Sequence, residues 1–98
     1  MGRFLALWEA DDSRLPADPK ERGAGYEVAL KFIREEMKKG LIKDWGSFVG
    51  TTCGFIVYEG TEVEVGNSLQ YFIPIYSFKV YPVASVEQAE ELTKALLK

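Results

Sequence analysis

The 98-residue sequence predicts an α+β fold: one four-stranded antiparallel sheet with two helices on one face and an extra helix at the C-terminus. Three observations lead there. Apolar runs of strand length alternate with stretches of helical period, in the order β-α-β-β-α-β followed by a last helix. Capping residues and glycine or proline stand at the joints. The length is that of one domain, covering 1–98.

Phe4-Leu5-Ala6-Leu7-Trp8 reads as a first strand, apolar on both sides. A polar loop over 10–18 carries Asp11, Asp12, Ser13, Pro16 and Asp18. Asp18 suits a helix N-cap, Pro19 the first helical position, and Glu21 stands three residues after the cap. Tyr26, Ala29, Leu30, Ile33 and Met37 keep helical spacing, and Gly40 suits the C-terminal cap. Leu41–Val49 and Cys53–Glu59 read as a hairpin turning at Gly50-Thr51-Thr52. Thr61 and Glu64 have capping-box spacing ahead of Val65, Leu69 and Phe72, with Pro74 as the stop. Tyr76–Val83 reads as a fourth strand, in which Pro82 marks an edge or an end. Ser85 and Gln88 form a second capping box before the stripe Val86, Ala89, Leu92, Leu96. Two right-handed crossovers around a hairpin make this order a ferredoxin-like split sheet.

Composition removes many functions. There is no histidine, which excludes Ser-His, Cys-His and His-metal chemistry. One cysteine permits no internal disulfide and no multi-cysteine metal cage. A net charge of −3 argues against nucleic acid as a partner. The apolar runs are far shorter than the ~20 residues of a membrane helix, and the start lacks a signal-peptide pattern. The expectation is a cytoplasmic protein with a reduced thiol, no membrane association and no cofactor. One Asn, two Gln and charge carried mostly by Lys and Glu lean toward a thermophilic source.

The sheet poses a problem of coverage. Neither parity of the first, third or fourth strand is polar, although an antiparallel sheet with one wet face alternates. Two helices cover one face. A second copy packed face to face, in a homodimer with two-fold symmetry, covers the other. The alternative is that the last helix folds across the open face of a monomer.

The strand Phe4-Leu5-Ala6-Leu7-Trp8-Glu9, the hairpin from Lys43-Asp44-Trp45-Gly46-Ser47-Phe48 into Gly54-Phe55-Ile56-Val57-Tyr58-Glu59-Gly60, and the ending Phe78-Lys79-Val80-Tyr81-Pro82-Val83 resemble the dimeric α/β-barrel superfamily, within it the small proteins of the DUF3303 type. The likeness spans nearly the whole chain and lies in pattern and order. It implies a barrel-like dimer. The superfamily includes cofactor-free monooxygenases, haem-handling enzymes, lactone isomerases and ligand-binding domains, many with a barrel histidine that this chain lacks. The chain also departs in its long, glycine-containing approach to the first helix.

The candidate ligand-binding residues are Trp8, Trp45, Cys53, Phe55, Lys79 and Tyr81, expected to line a pocket between sheet and partner. The competing assignment makes them core or dimer interface. Lys79 is a nucleophile or base if it points into a barrel, and an ordinary edge charge if its strand is an edge. Cys53 opens an apolar strand, as an inert small hydrophobe does. Asp11, Asp12 and Asp18 lack calcium-loop spacing and read as a turn and a cap. Gly23-Ala24-Gly25 is no phosphate loop. The stretch Thr51–Tyr58 lacks the basic residue, first glycine and first aromatic of an RNA-recognition strand. No catalytic constellation emerges. The expected function is a dimeric domain that binds a small apolar or aromatic molecule or serves a structural role. The competing expectation is a cofactor-free enzyme on such a metabolite.

Overall fold

In the computed structural model, which describes residues 2–98, the chain forms strand β1 (Gly2–Ala10), a 3-10 turn (Asp12–Arg14), helix α1 (Pro19–Lys38), strands β2 (Ile42–Ser47) and β3 (Cys53–Gly60), helix α2 (Glu62–Gln70), strand β4 (Tyr76–Val83) and helix α3 (Val86–Leu96). The sheet order is β2-β3-β1-β4, antiparallel throughout. This is the ferredoxin-like arrangement with an added C-terminal helix.

The joints follow from local chemistry. The Asp18 carboxylate accepts from the Glu21 amide, and Pro19 opens α1. Gly40 ends that helix at φ +83°, a backbone region that favours glycine. Both capping boxes form: Thr61 with Glu64 on α2, and Ser85 with Gln88 on α3. The second strand is shorter than its sequence suggests. Phe48 and Val49 leave it because the turn begins early: the Phe48 amide donates to the Cys53 carbonyl at 2.9 Å, and Thr51 Oγ1 caps the Phe48 carbonyl at 2.7 Å. Likewise α2 stops at Gln70, before Pro74, and Tyr71–Ile75 make a turn into β4.

Strand alternation sorts the side chains into two faces. Phe4, Ala6, Trp8, Ile42, Ile56 and Tyr58 point to the helices. There they form the core with Ile33 of α1, Val65 and Leu69 of α2, and Phe72. Tyr58 is fully buried and its hydroxyl bonds Ser68 Oγ at 2.9 Å. Burial pushes the Tyr58 phenol up to about 12, with the nearby Glu36 carboxylate adding to the rise and the Ser68 bond opposing it.

Leu5, Leu7, Phe55, Val57, Tyr81 and Val83 fall on the other face, which no helix covers. The first strand is therefore buried on one side only within a single copy. The last helix does not close that face: among the described residues α3 has no buried side chain and makes no extensive contact with another element. The molecule is accordingly elongated, with extents of 60 × 25 × 21 Å. No helix among the described residues is long and apolar enough to cross a membrane.

Candidate functional site

Between α1 and the helix-facing side of the sheet lies a cleft of ≈ 210 Å³. It opens because of what the sequence puts at its margins. Ala10 and Ala29 are small, and the first half of α1, with Gly23 and Gly25, is mostly exposed. The wall is aromatic. Trp8 stacks on Trp45 with ring centres 5.7 Å apart and planes 13° from parallel. Tyr76 meets Trp8 edge-on at 5.7 Å, and Phe72 meets Tyr76 edge-on at 5.9 Å. Tyr26, Leu30 and Ile33 close the α1 side.

Glycine sets the position of Trp8. A Cβ at Gly54 would overlap the Gly46 carbonyl oxygen and come within 2.5 Å of Trp8 Cε2. The indole therefore lies flat on β3 because position 54 has no side chain. Its Nε1 is buried and has no hydrogen-bond partner among the described residues. Such an orphan donor costs about 1–3 kcal/mol.

The polar groups of the wall are few. Ser47, Thr51 and Thr52 bring hydroxyls, and Tyr26 and Tyr76 bring phenols. Burial raises the Tyr76 pKa, and the neighbouring Tyr26 adds to the rise. Both effects keep that phenol protonated at neutral pH. No Asp, Glu, Lys or Arg lines the cleft among the described residues. The wall thus offers ring faces and a few hydroxyls, and no ionic partner among the described residues.

The six candidate residues do not form one site. Trp8 and Trp45 line the cleft together, on the helix face and not between sheet and partner. Cys53, Phe55, Lys79 and Tyr81 lie on the opposite face, because their registers pair them with Glu9, Leu7, Leu7 and Leu5. Trp45 parts from Phe55 through the irregularity between Ile42 and Asp44, which turns Trp45 to the helix side. Phe55 folds over Gly46, where a Cβ would meet its Cζ at 2.8 Å. The Cys53 Sγ lies 3.3 Å from Thr51 Oγ1. Lys79 is exposed on β4, an edge strand, as an edge charge is.

Sequence reasoning missed Tyr26, Leu30, Phe72 and Tyr76 as cleft residues. The signal was present in the stripe Tyr26, Ala29, Leu30, Ile33, which reads as core and proves to be half core and half wall. In the loop, the Asp11 carboxylate accepts from the Ser13 amide and hydroxyl at 3.1 and 2.7 Å, and Asp12 accepts from Thr52 at 3.1 Å. The Ser13 bonds, aided by Arg14, hold the Asp11 pKa below the ordinary carboxylate value. No protein-family model matches the chain, and no curated protein matches it significantly.

Proposed function

We propose that this protein is a small homodimeric binding domain that holds a neutral apolar or aromatic molecule in the cleft beneath α1. The observation that carries the reading is the wall itself: stacked Trp8 and Trp45, Tyr76 across their edge, and no ionic side chain. Taking a charged group into such a wall would cost its hydration without a compensating partner. A flat uncharged ligand gives up little and gains ring contacts worth about 0.5–1.5 kcal/mol each beyond area burial. An acceptor on the ligand that reached the Trp8 Nε1 would satisfy its orphan donor.

The cleft favours binding over chemistry. Among the described residues its ionisable side chains are phenols, and Tyr76, kept neutral by burial, donates a hydrogen bond but accepts no proton at pH 7. The homodimer part of the reading rests on the uncovered sheet face. Leu7 is 36% exposed and Tyr81 49%, on the face they share with Leu5, Phe55 and Val57. Pairing two such faces is also what the resemblance to dimeric α/β barrels implies. The same reading keeps Cys53 reduced, in the cytoplasm.

Both tryptophans of the chain line the cleft, so the two indole N–H resonances report on it directly. Titration with 2-naphthol, followed by proton–nitrogen correlation spectra, is expected to shift both indole signals saturably and leave the Leu7 and Tyr81 amides in place. Indole signals that stay put up to millimolar probe, or shifts confined to the open face, would refute the site.

A further inference from the structure

The C-terminal helix is built to last but has nothing to hold. Its capping box is complete, yet Leu92, Leu96 and Leu97 are 64%, 85% and 80% exposed. An apolar stripe left in water on an 11-residue helix calls for a partner, since helices this short are marginal alone.

The register says where that partner surface lies. Val83 pairs with Arg3, Arg3 pairs with Glu59, and the Glu59 amide donates to the Leu41 carbonyl at 2.9 Å. One row thus runs across the sheet from the end of β4 to the start of β2, and α3 departs from its β4 end. Edge charges choose how two faces meet. Asp44 stands at the β2 edge and Lys79 on the β4 edge. A two-fold axis parallel to the strands sets the β4 edge of one copy against the β2 edge of the other, with Lys79 two rows along the strands from the row of Asp44, so that opposite charges share one edge. An axis across the strands sets β4 against β4 and brings the two Lys79 edges together. With the first axis, α3 of one protomer emerges beside Leu41 of its partner.

A second, open cleft of ≈ 430 Å³ lies there, with Phe32, Leu41, Lys39 and Lys43 in its wall. Its carboxylates are already engaged: Glu36 with Lys39 at 3.7 Å, Glu59 with Arg3 at 2.8 Å, and Glu64 with the Thr61 amide at 2.8 Å. Lys38 and Lys43 are exposed at this end, and the first turns of α3 carry exposed Glu87 and Glu90, with Glu91 already held by Lys94 at 3.3 Å. The lysines of this end thus oppose the glutamates of α3, and Phe32 and Leu41 are the apolar part of the wall offered to its leucines.

Area gives the same answer. Four strands at ~4.8 Å spacing and eight residues at ~3.4 Å make a face of roughly 500 Å², or about 1,000 Å² for two. Stable interfaces bury about 1,600 Å². Two arms supply the difference.

We propose that α3 is an exchanged arm, with its leucine stripe docked in the partner's cleft between α1, β2 and α2. This rests on the dimer reading above. The test mixes equal amounts of unlabelled and nitrogen-15-labelled full-length protein, lets the copies exchange, and joins amines to carboxylates with a zero-length carbodiimide. Cross-links from Lys38 or Lys43 to Glu87 or Glu90 are expected to contain mixed-label pairs in the binomial proportion. Leu92→Glu is expected to weaken the dimer at least about tenfold by sedimentation. Same-label cross-links alone would place α3 on its own chain and overturn the arm. A stable dimer indifferent to Leu92→Glu and without these cross-links would overturn the arm but spare the face pairing. A monomeric wild-type protein would remove both.

Discussion

Replacing Gly54 by alanine should unfold the cleft from its floor. Gly54 does not have a positive φ, so its requirement is for space. The new Cβ would overlap the Gly46 carbonyl oxygen and sit 2.5 Å from Trp8 Cε2, where ordinary contacts begin near 3.4 Å. Neither neighbour can yield cheaply. The carbonyl belongs to β2, and Trp8 is fixed between Trp45 and Tyr76. Overpacking of this kind costs about 1–3 kcal/mol. Loss of the indole stack adds roughly 0.5–1.5 kcal/mol. The sum, about 1.5–4.5 kcal/mol, is a large part of the ~5–15 kcal/mol that holds a domain together. With a urea slope of about 2 kcal/mol/M, the midpoint should fall by about 1–2 M. The near-ultraviolet circular dichroism of the paired tryptophans should fall with it. A midpoint shift under ~0.3 M with the tryptophan signal unchanged would mean that Gly54 does not set the position of Trp8.

Other outcomes follow from the same geometry. Gly66→Ala, in the interior of α2 with nothing within 4 Å of the added Cβ, should instead stabilise by about 0.5–1 kcal/mol in urea melts. Thr61→Ala removes one half of a capping box and should cost about 1 kcal/mol. Tyr58→Phe leaves the buried Ser68 hydroxyl without its 2.9 Å partner and should cost about 1–3 kcal/mol, most of it recovered when Ser68→Ala is added. The Tyr58 phenol also predicts a pH dependence. Its folded pKa of about 12 lies above the ordinary 10.0, so the unfolded chain loses that proton first. The stability it contributes is complete below pH 10 and is lost as pH rises toward 12, at up to about 1.4 kcal/mol per pH unit. Urea melts over that window should show the slope, and Tyr58→Phe should remove the Tyr58 share of it.

Much of the fold was legible because short-range chemistry encodes it. Asp18-Pro19, Gly40, Thr61 with Glu64 and Ser85 with Gln88 are local signals, and each acts in the structure as its residue type requires. The ends of β2 were harder, since Phe48 and Val49 look like strand residues and are drawn into a turn by Thr51. The site was legible only in part. Trp8 and Trp45 stand out by type, but which face each occupies depends on register, and a single irregularity before Asp44 turns Trp45 to the helices. Tyr26 and Tyr76 join them only through the packing of α1 against the sheet, a long-range outcome that no local pattern states.

Native mass spectrometry of the full chain with 2-naphthol added tests the binding reading most directly. Two 11.0 kDa chains are expected to travel together with added probe mass, and that mass is expected to be lost in Trp45→Ala while the dimer persists. A monomer, a dimer that stays bare with probe present, or a Trp45→Ala dimer that holds the probe as well as the wild type would contradict it.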